Sequence, residues 1–146
     1  MPSLSAAARE LLANARVAHL ATADQYARPH AVPIVFVWRE GVLYTPLDRK
    51  PKREDDWHAL RRVRNIETNG RVAIVVDRYD EDWSRLAWVM LEGVATIIET
   101  GDERDAAAVL LREKYAQYET LSLDGRPIVR VEIERASEWS SASPSS

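Results

Sequence analysis

The sequence predicts a mainly-β domain: a closed or nearly closed barrel of six or more mostly antiparallel strands, with helices covering its openings. Three observations predict it. Successive β-branched and aromatic runs are joined by short turns, which favours antiparallel pairing over the alternating pattern of a doubly wound sheet. Many strands in only 146 residues are best satisfied by closure. A long apolar run over 85–99 is interrupted at Gly93, and glycine inside a strand marks the bulge or bend that a barrel needs.

Residues 4–14 read as a short helix with Leu4, Ala8, Leu11 and Leu12 on one face and Ser3 as its cap. Residues 16–23 read as a strand, 24–28 as a turn, 30–38 as one strand and 42–47 as its hairpin partner across Gly41. Pro33 and Pro46 belong at edges, bulges or strand ends, because they donate no N–H. After the polar stretch DRKPKREDD, Asp55 or Asp56 would cap a helix from Trp57 to about Thr68, with Leu60, Val63 and Ile66 toward the core and Asn69-Gly70 ending it. Residues 71–78 read as a buried strand. The run 85–99 is one very long strand or two broken at Gly93. Thr100–Glu103 has the spacing of a capping box opening a helix to about Tyr118, with Ala107, Leu110, Leu111, Tyr115 and Tyr118 as its stripe. A last strand covers 128–136. The expected organisation is one domain over 1–139 and a flexible serine-rich tail over 140–146.

Composition excludes several chemistries. The chain has no cysteine, so it has no disulfides, thiolate nucleophile or cysteine-held metal. Its three histidines, at 19, 30 and 58, lack metal-ligand spacing. No nucleophile elbow, zinc-protease, P-loop or dinucleotide-binding motif occurs. No run reaches the roughly 18–20 apolar residues of a membrane span, and the N-terminus lacks a secretory pattern, so a cytoplasmic protein without membrane contact is the expectation. The net charge of −3 disfavours nucleic acid as a partner. That charge is uneven. Between Arg49 and Arg64 lie seven basic and three acidic residues, a net +4, so the remainder carries −7. Such an island suits either a local anion site or a solvated helix face. A hydroxyl near 44–45, Lys50, Lys52, Arg61 and Arg62 could close around a phosphate, arginine by bidentate bonds and lysine as a point charge. Adjacent helical residues point about 100° apart, so at most one of Arg61 and Arg62 would face such a site. Five tryptophans offer an aromatic wall, although each alone fits an ordinary core or interface role.

The segments VAHLATADQYARPHAVPIVFVW, LYTPLDRKPK, LRRVRNIETNGRVAIVVDRYDEDW and WVMLEGVA together resemble the pyridoxamine 5′-phosphate oxidase-like split β-barrel family. Within it the sequence is most similar to coenzyme F420-dependent oxidoreductases, over about Arg16 to Trp139. Ala27 stands where a glycine is usual before RPH. The resemblance implies an FMN-binding-type split barrel and a homodimer with cofactor sites at the interface. It implies cofactor contacts from His30 and the Pro33-Ile34-Val35 backbone, from Thr45 and Asp48, from Lys50 and Lys52 in the KPK motif, from Arg61, Arg62 and Asn65, and from Trp83 and Trp88, the last two from either subunit. The implied activity is hydride transfer from reduced F420 to a small conjugated substrate. The alternatives are an FMN-dependent oxidase or reductase, or a non-catalytic flavin or F420 carrier. No catalytic side chain is identifiable from sequence, His19 and His58 read as structural or exposed, and the substrate is not specified.

Overall fold

The computed structural model describes residues 3–47 and 56–141. Their strands form one antiparallel seven-stranded sheet. In chain order they are β1 (Ala18–Ala23), β2 (Pro29–Ile34), β3 (Val37–Arg39), β4 (Val42–Pro46), β5 (Arg71–Arg78), β6 (Ala87–Ile98) and β7 (Ile128–Ser140). The helices are α1 (Ala6–Asn14), α2 (Arg61–Thr68) and α3 (Asp102–Lys114). Across the sheet the order is β2-β1-β5-β6-β7-β4-β3.

That order forces curvature. The edge strands β2 and β3 are consecutive in the chain, joined only by Val35 and Phe36. Three Cα steps reach at most about 11 Å, whereas the edges of a flat seven-stranded sheet stand about 29 Å apart. The sheet therefore rolls until its edges are close, yet β2 and β3 are not paired with each other. The result is a split barrel with peripheral helices.

Alternation sorts the strands into an interior and an exterior. Ala18 and Leu20 of β1, Val72, Ile74 and Val76 of β5, Val89, Leu91 and Ala95 of β6, and Val129, Val131 and Ile133 of β7 fill the barrel. Helix α1 adds Ala8, Leu11 and Leu12 to this core, and α2 adds Val63 and Ile66. Helix α3 packs on the outside, where Ala107, Ala108, Leu111 and Tyr115 cover Val37, Tyr44 and Ile128.

Gly93 lies within a continuous β6, opposite a bulge in β7: Gly93 pairs with Ile133 and Glu92 with Arg135, leaving Glu134 as the extra residue. A Cβ at Gly93 would sit 2.0 Å from the Glu132 carbonyl oxygen. Glycine is thus required by the approach of a neighbouring backbone.

Several boundaries differ from the sequence expectation. Ser5, not Ser3, caps α1, accepting from the Ala8 N–H at 3.1 Å. The 30–38 run is two strands, because Val35 and Phe36 turn the corner between the two sheet edges. The expected helix from Trp57 begins as a 3₁₀ turn over Trp57–Ala59, capped by Asp56; α2 itself starts at Arg61. At α3 the capping box does not form. Gly101 occupies the N-cap with φ 110° and no side-chain cap bond. Glu103 instead accepts from Tyr44 Oη (2.5 Å) and Arg130 Nε (2.7 Å), tying α3 to β4 and β7. The same helix ends at Lys114 and continues as a 3₁₀ turn over Ala116–Glu119, and β7 runs four residues past the expected end.

Replacing Gly93 with Ala is expected to destabilise the fold by about 3 kcal/mol, since the obstacle is backbone that cannot rotate away; equilibrium urea unfolding measures this, and an unchanged midpoint contradicts it. The Tyr44 and Arg130 hydrogen bonds hold the Glu103 carboxyl below its usual range, and burial with the Glu103 bond pushes Tyr44 up to about 12. A lowered carboxyl stabilises fully above the ordinary glutamate value of 4.5 and loses that contribution as pH falls toward the folded value. Glu103→Gln is therefore expected to lower the thermal midpoint at pH 7 and to narrow its difference from wild type as pH falls below 4.

Candidate functional site

The residues singled out from sequence fall into two regions. Asp48, Lys50 and Lys52 lie outside the described residues.

The first region is the α2 end of the barrel. β1 and β2 pair in a register that sets Thr22 opposite His30. Cross-strand partners share a face, so both point to the interior side. Asn65 of α2 is 4% exposed and donates from Nδ2 to Thr22 Oγ1 at 2.9 Å. This bond anchors α2 to β1 and makes Asn65 a brace of the helix. His30 is half-buried, and its Nδ1 is buried without a hydrogen-bond partner. An orphaned imidazole nitrogen is a group that an incoming ligand can satisfy. Thr45 is buried in β4 between barrel-facing Leu43 and Leu47, and so shares their side. Arg61 is exposed and Arg62 half-buried at the first turn of α2.

The segment after His30 divides. Pro33 is exposed on the outer face, paired with His19. Ile34 is buried in the barrel core, and Val35 packs against the cluster under α3. As an edge strand, β2 is paired only on its β1 side, which leaves its other backbone edge available.

The second region is a groove of about 1070 Å³ between α1 and the outer ends of β1, β5, β6 and β7. Trp88 lines it and is 38% exposed. Its cross-strand partner is Trp139 of β7, 44% exposed, and its neighbour on β5 is Asp77. His19, Arg16, Arg78 and Tyr79 are among its other polar and aromatic lining residues. Trp83 is 68% exposed in the 3₁₀ turn before β6 and does not line the groove.

Among the described residues, one chain does not bring the predicted set together. Thr22, His30, Thr45 and Asn65 lie on the interior side, whereas Trp88 points outward. Between the groove and β2, the outer sheet face carries Ala21, Ala31, Pro33, Ala73, Val75 and Met90, none of them fully buried. Sequence reasoning missed Trp139 and His19 as groove residues. Its signal for Trp139 was the Glu138-Trp139 pair at the end of an alternating run; register with Trp88 was needed to give it meaning.

Among the described residues no cluster of histidine and carboxylate side chains could hold a metal ion, and no helix is long and apolar enough to cross a membrane.

A family model described as pyridoxamine 5′-phosphate oxidase matches residues 4–140. No curated protein matches. Similar solved structures include the heme storage protein HutZ from Vibrio cholerae, at 19% identity and TM-score 0.71, covering 95% of each chain. A conserved hypothetical protein from Mycobacterium tuberculosis has 20% identity and TM-score 0.75, over 95% of this chain and 86% of that one. An F420 reductase has 22% identity and TM-score 0.68, over 92% and 98%. At such identities the likeness shows the fold, and proteins of different stated roles share it. With nearly its whole length matched by one family model, the chain belongs to the pyridoxamine 5′-phosphate oxidase family of split β-barrels.

Proposed function

We propose that the protein is a homodimer that binds a phosphate-bearing flavin-type cofactor, FMN or the deazaflavin F420, and uses it to oxidise or reduce a small conjugated substrate. The carrying observation is the split of the site's components. The tryptophan-lined groove and the interior-side cluster of Thr22, His30 and Asn65 are on opposite faces of one sheet, with a largely uncovered small-residue and apolar face beside them. A second copy supplies what one chain keeps apart.

The residues present fit such a group. The groove's volume is at the upper end of the range for organic ligands. Trp88 and Trp139 offer aromatic surface to a flat ring. The orphaned His30 Nδ1 offers a hydrogen bond to a ring heteroatom. Lys50, Lys52 and the α2 arginines offer charge to a phosphate. When bound, the cofactor supplies hydride or electron transfer. The chain's own part is to orient the ring and its partner molecule, to exclude water and to hold the phosphate. FMN stands as the first ligand to test, with F420 beside it, because the basic segment answers to the phosphate that both carry.

A second reading is a non-catalytic carrier. The likeness to a heme storage protein is as close as that to an F420 reductase, so carriage and catalysis are separated by turnover alone.

Purified protein titrated separately with FMN and F420 is expected to bind at least one with micromolar or tighter affinity; binding of neither overturns the proposal. Binding without turnover on reduced cofactor and a panel of quinone and nitroaromatic acceptors selects the carrier. Lys50→Ala/Lys52→Ala is expected to weaken binding by roughly 10- to 100-fold and to flatten its salt dependence, the scale of lost charge-assisted bonds. Unchanged affinity moves the phosphate elsewhere. Light scattering is expected to give twice the 16.6 kDa chain mass.

A further inference from the structure

The α1–β1 link, the β2–β3 crossover and the end of α3 meet at the buried Tyr115 ring. The Arg16 guanidinium carbon lies 5.7 Å from its centroid and Lys114 Nζ 5.4 Å; Nζ also sits 3.9 Å from the centroid of Phe36. Lys114 Nζ donates to the Phe36 carbonyl at 3.0 Å, and Arg16 Nη1 donates to the Lys114 carbonyl. Among the described residues neither cation has a carboxylate within ion-pair distance.

Two cations thus share one aromatic ring without a counter-ion among the described residues. Desolvation, reinforced by the Arg16 charge, brings the half-buried Lys114 down to about 8. Tyr115 adds no negative charge, because burial pushes its hydroxyl up. That hydroxyl donates to the Arg16 carbonyl at 2.9 Å and accepts from the Phe36 N–H at 3.1 Å. Three carboxylates line the adjoining groove. Both Glu138 oxygens are taken by Ser5, while Glu10 and Asp77 form no ion pair with either cation. Arg16 itself lines the groove, and donors remain on both cations after their backbone bonds. An anion placed there would relieve the mutual repulsion and raise the affinity of Lys114 for its proton.

We propose that Arg16, which lines the groove, and Lys114, which stands behind it across the Tyr115 ring and does not line the groove, form an oxyanion subsite at the α1–β1 edge of the groove, taking a carboxylate or phosphate carried by the small molecule that the groove holds. Arginine suits either planar or tetrahedral oxyanions, and lysine adds a point charge over aromatic faces. The subsite's residues differ from the basic 49–64 island; its natural ligand rests on the proposed use of the groove for a small molecule, whereas anion binding by Arg16 and Lys114 is read without any flavin present.

The test uses the whole chain and two probes, inorganic phosphate and citrate, each titrated against the backbone amide NMR signals of Arg16, Phe36 and Tyr115. Saturable shifts at these residues are expected, with the dissociation constant raised at least about tenfold in Arg16→Gln and in Lys114→Met, which keeps the buried stem. Wild-type affinity should also fall between pH 7 and 9.5 as Lys114 loses its proton, and this fall should be absent in Lys114→Met. Tighter phosphate binding identifies a phosphoryl ligand, and tighter citrate binding a carboxylate. Shifts that do not saturate, or that persist unchanged in Arg16→Gln, whose side chain is on the surface, mean an adventitious ion only and overturn the proposal.

Discussion

The two-residue link between β2 and β3 governs this molecule. Because Val35 and Phe36 must bring opposite edges of a seven-stranded sheet together, every other strand is obliged to coil. The link is correspondingly well held. The Phe36 side chain is fully buried in the barrel, its N–H donates to Tyr115, and its carbonyl accepts from Lys114. An unpaired backbone corner inside a barrel would otherwise leave a donor and an acceptor unsatisfied at a cost of about 1–3 kcal/mol each. The end of α3 supplies both partners, so the outer helix helps to close a barrel whose interior it never enters.

Closure also decides where chemistry can occur. The interior is filled by apolar side chains from six strands and by residues of α1 and α2. Outside that core lie the split, the helix-capped ends and the outer sheet face. Helix α3 covers the β3–β4–β7 part of that face, whereas the β2–β1–β5–β6 part carries small and apolar residues and ends in the tryptophan-lined groove. In a chain of 146 residues with one filled core, a deep pocket belonging to a single copy is difficult to build.

The barrel was legible in the residues because its determinants are local. Apolar, β-favouring runs bounded by turns marked β1 and β5, turn glycine marked the β3–β4 hairpin, and Gly93 marked the place of the bulge that β7 carries. The strand break at Val35 was illegible. Both residues of the corner are apolar and β-favouring, and periodicity cannot distinguish a buried corner from a buried strand. The capping box at Thr100–Glu103 failed for a tertiary reason: the Glu103 carboxylate that would have closed it is drawn to Tyr44 and Arg130, distant in sequence. For the site, the charge distribution marked the basic island and the family pattern singled out His30, Asn65 and Trp88 as candidates. It could not say that Asn65 spends its amide on Thr22, nor that Trp88 has Trp139 beside it. Both facts are consequences of register and of helix placement, which the sequence expresses only through the completed fold.

Satisfied and unsatisfied groups are distributed differently, and the difference is informative. Where the fold is being fixed, polar groups are paired: Arg104 binds the carbonyls of Leu123 and Arg126, Arg126 binds that of Leu47, and Asn65 binds Thr22. These bonds order the segments flanking the basic stretch and dock α2. Departures lie elsewhere, at His30 Nδ1 beside the unpaired sheet edge, and at Arg16 in the groove lining with Lys114 behind it, which bond backbone carbonyls but have no carboxylate partner among the described residues. A fold that satisfies its structural polar groups so consistently has no evident stability reason to leave, among the described residues, an imidazole nitrogen without a protein partner or two cations without a carboxylate. Such violations are tolerated where a site gains from them, because a ligand that completes the missing bonds obtains their full strength in a partly desolvated setting. The unsatisfied groups border the two regions that closure of the sheet leaves open. The same constraint that fills the barrel thus concentrates its unused binding capacity at the rim and on the uncovered face.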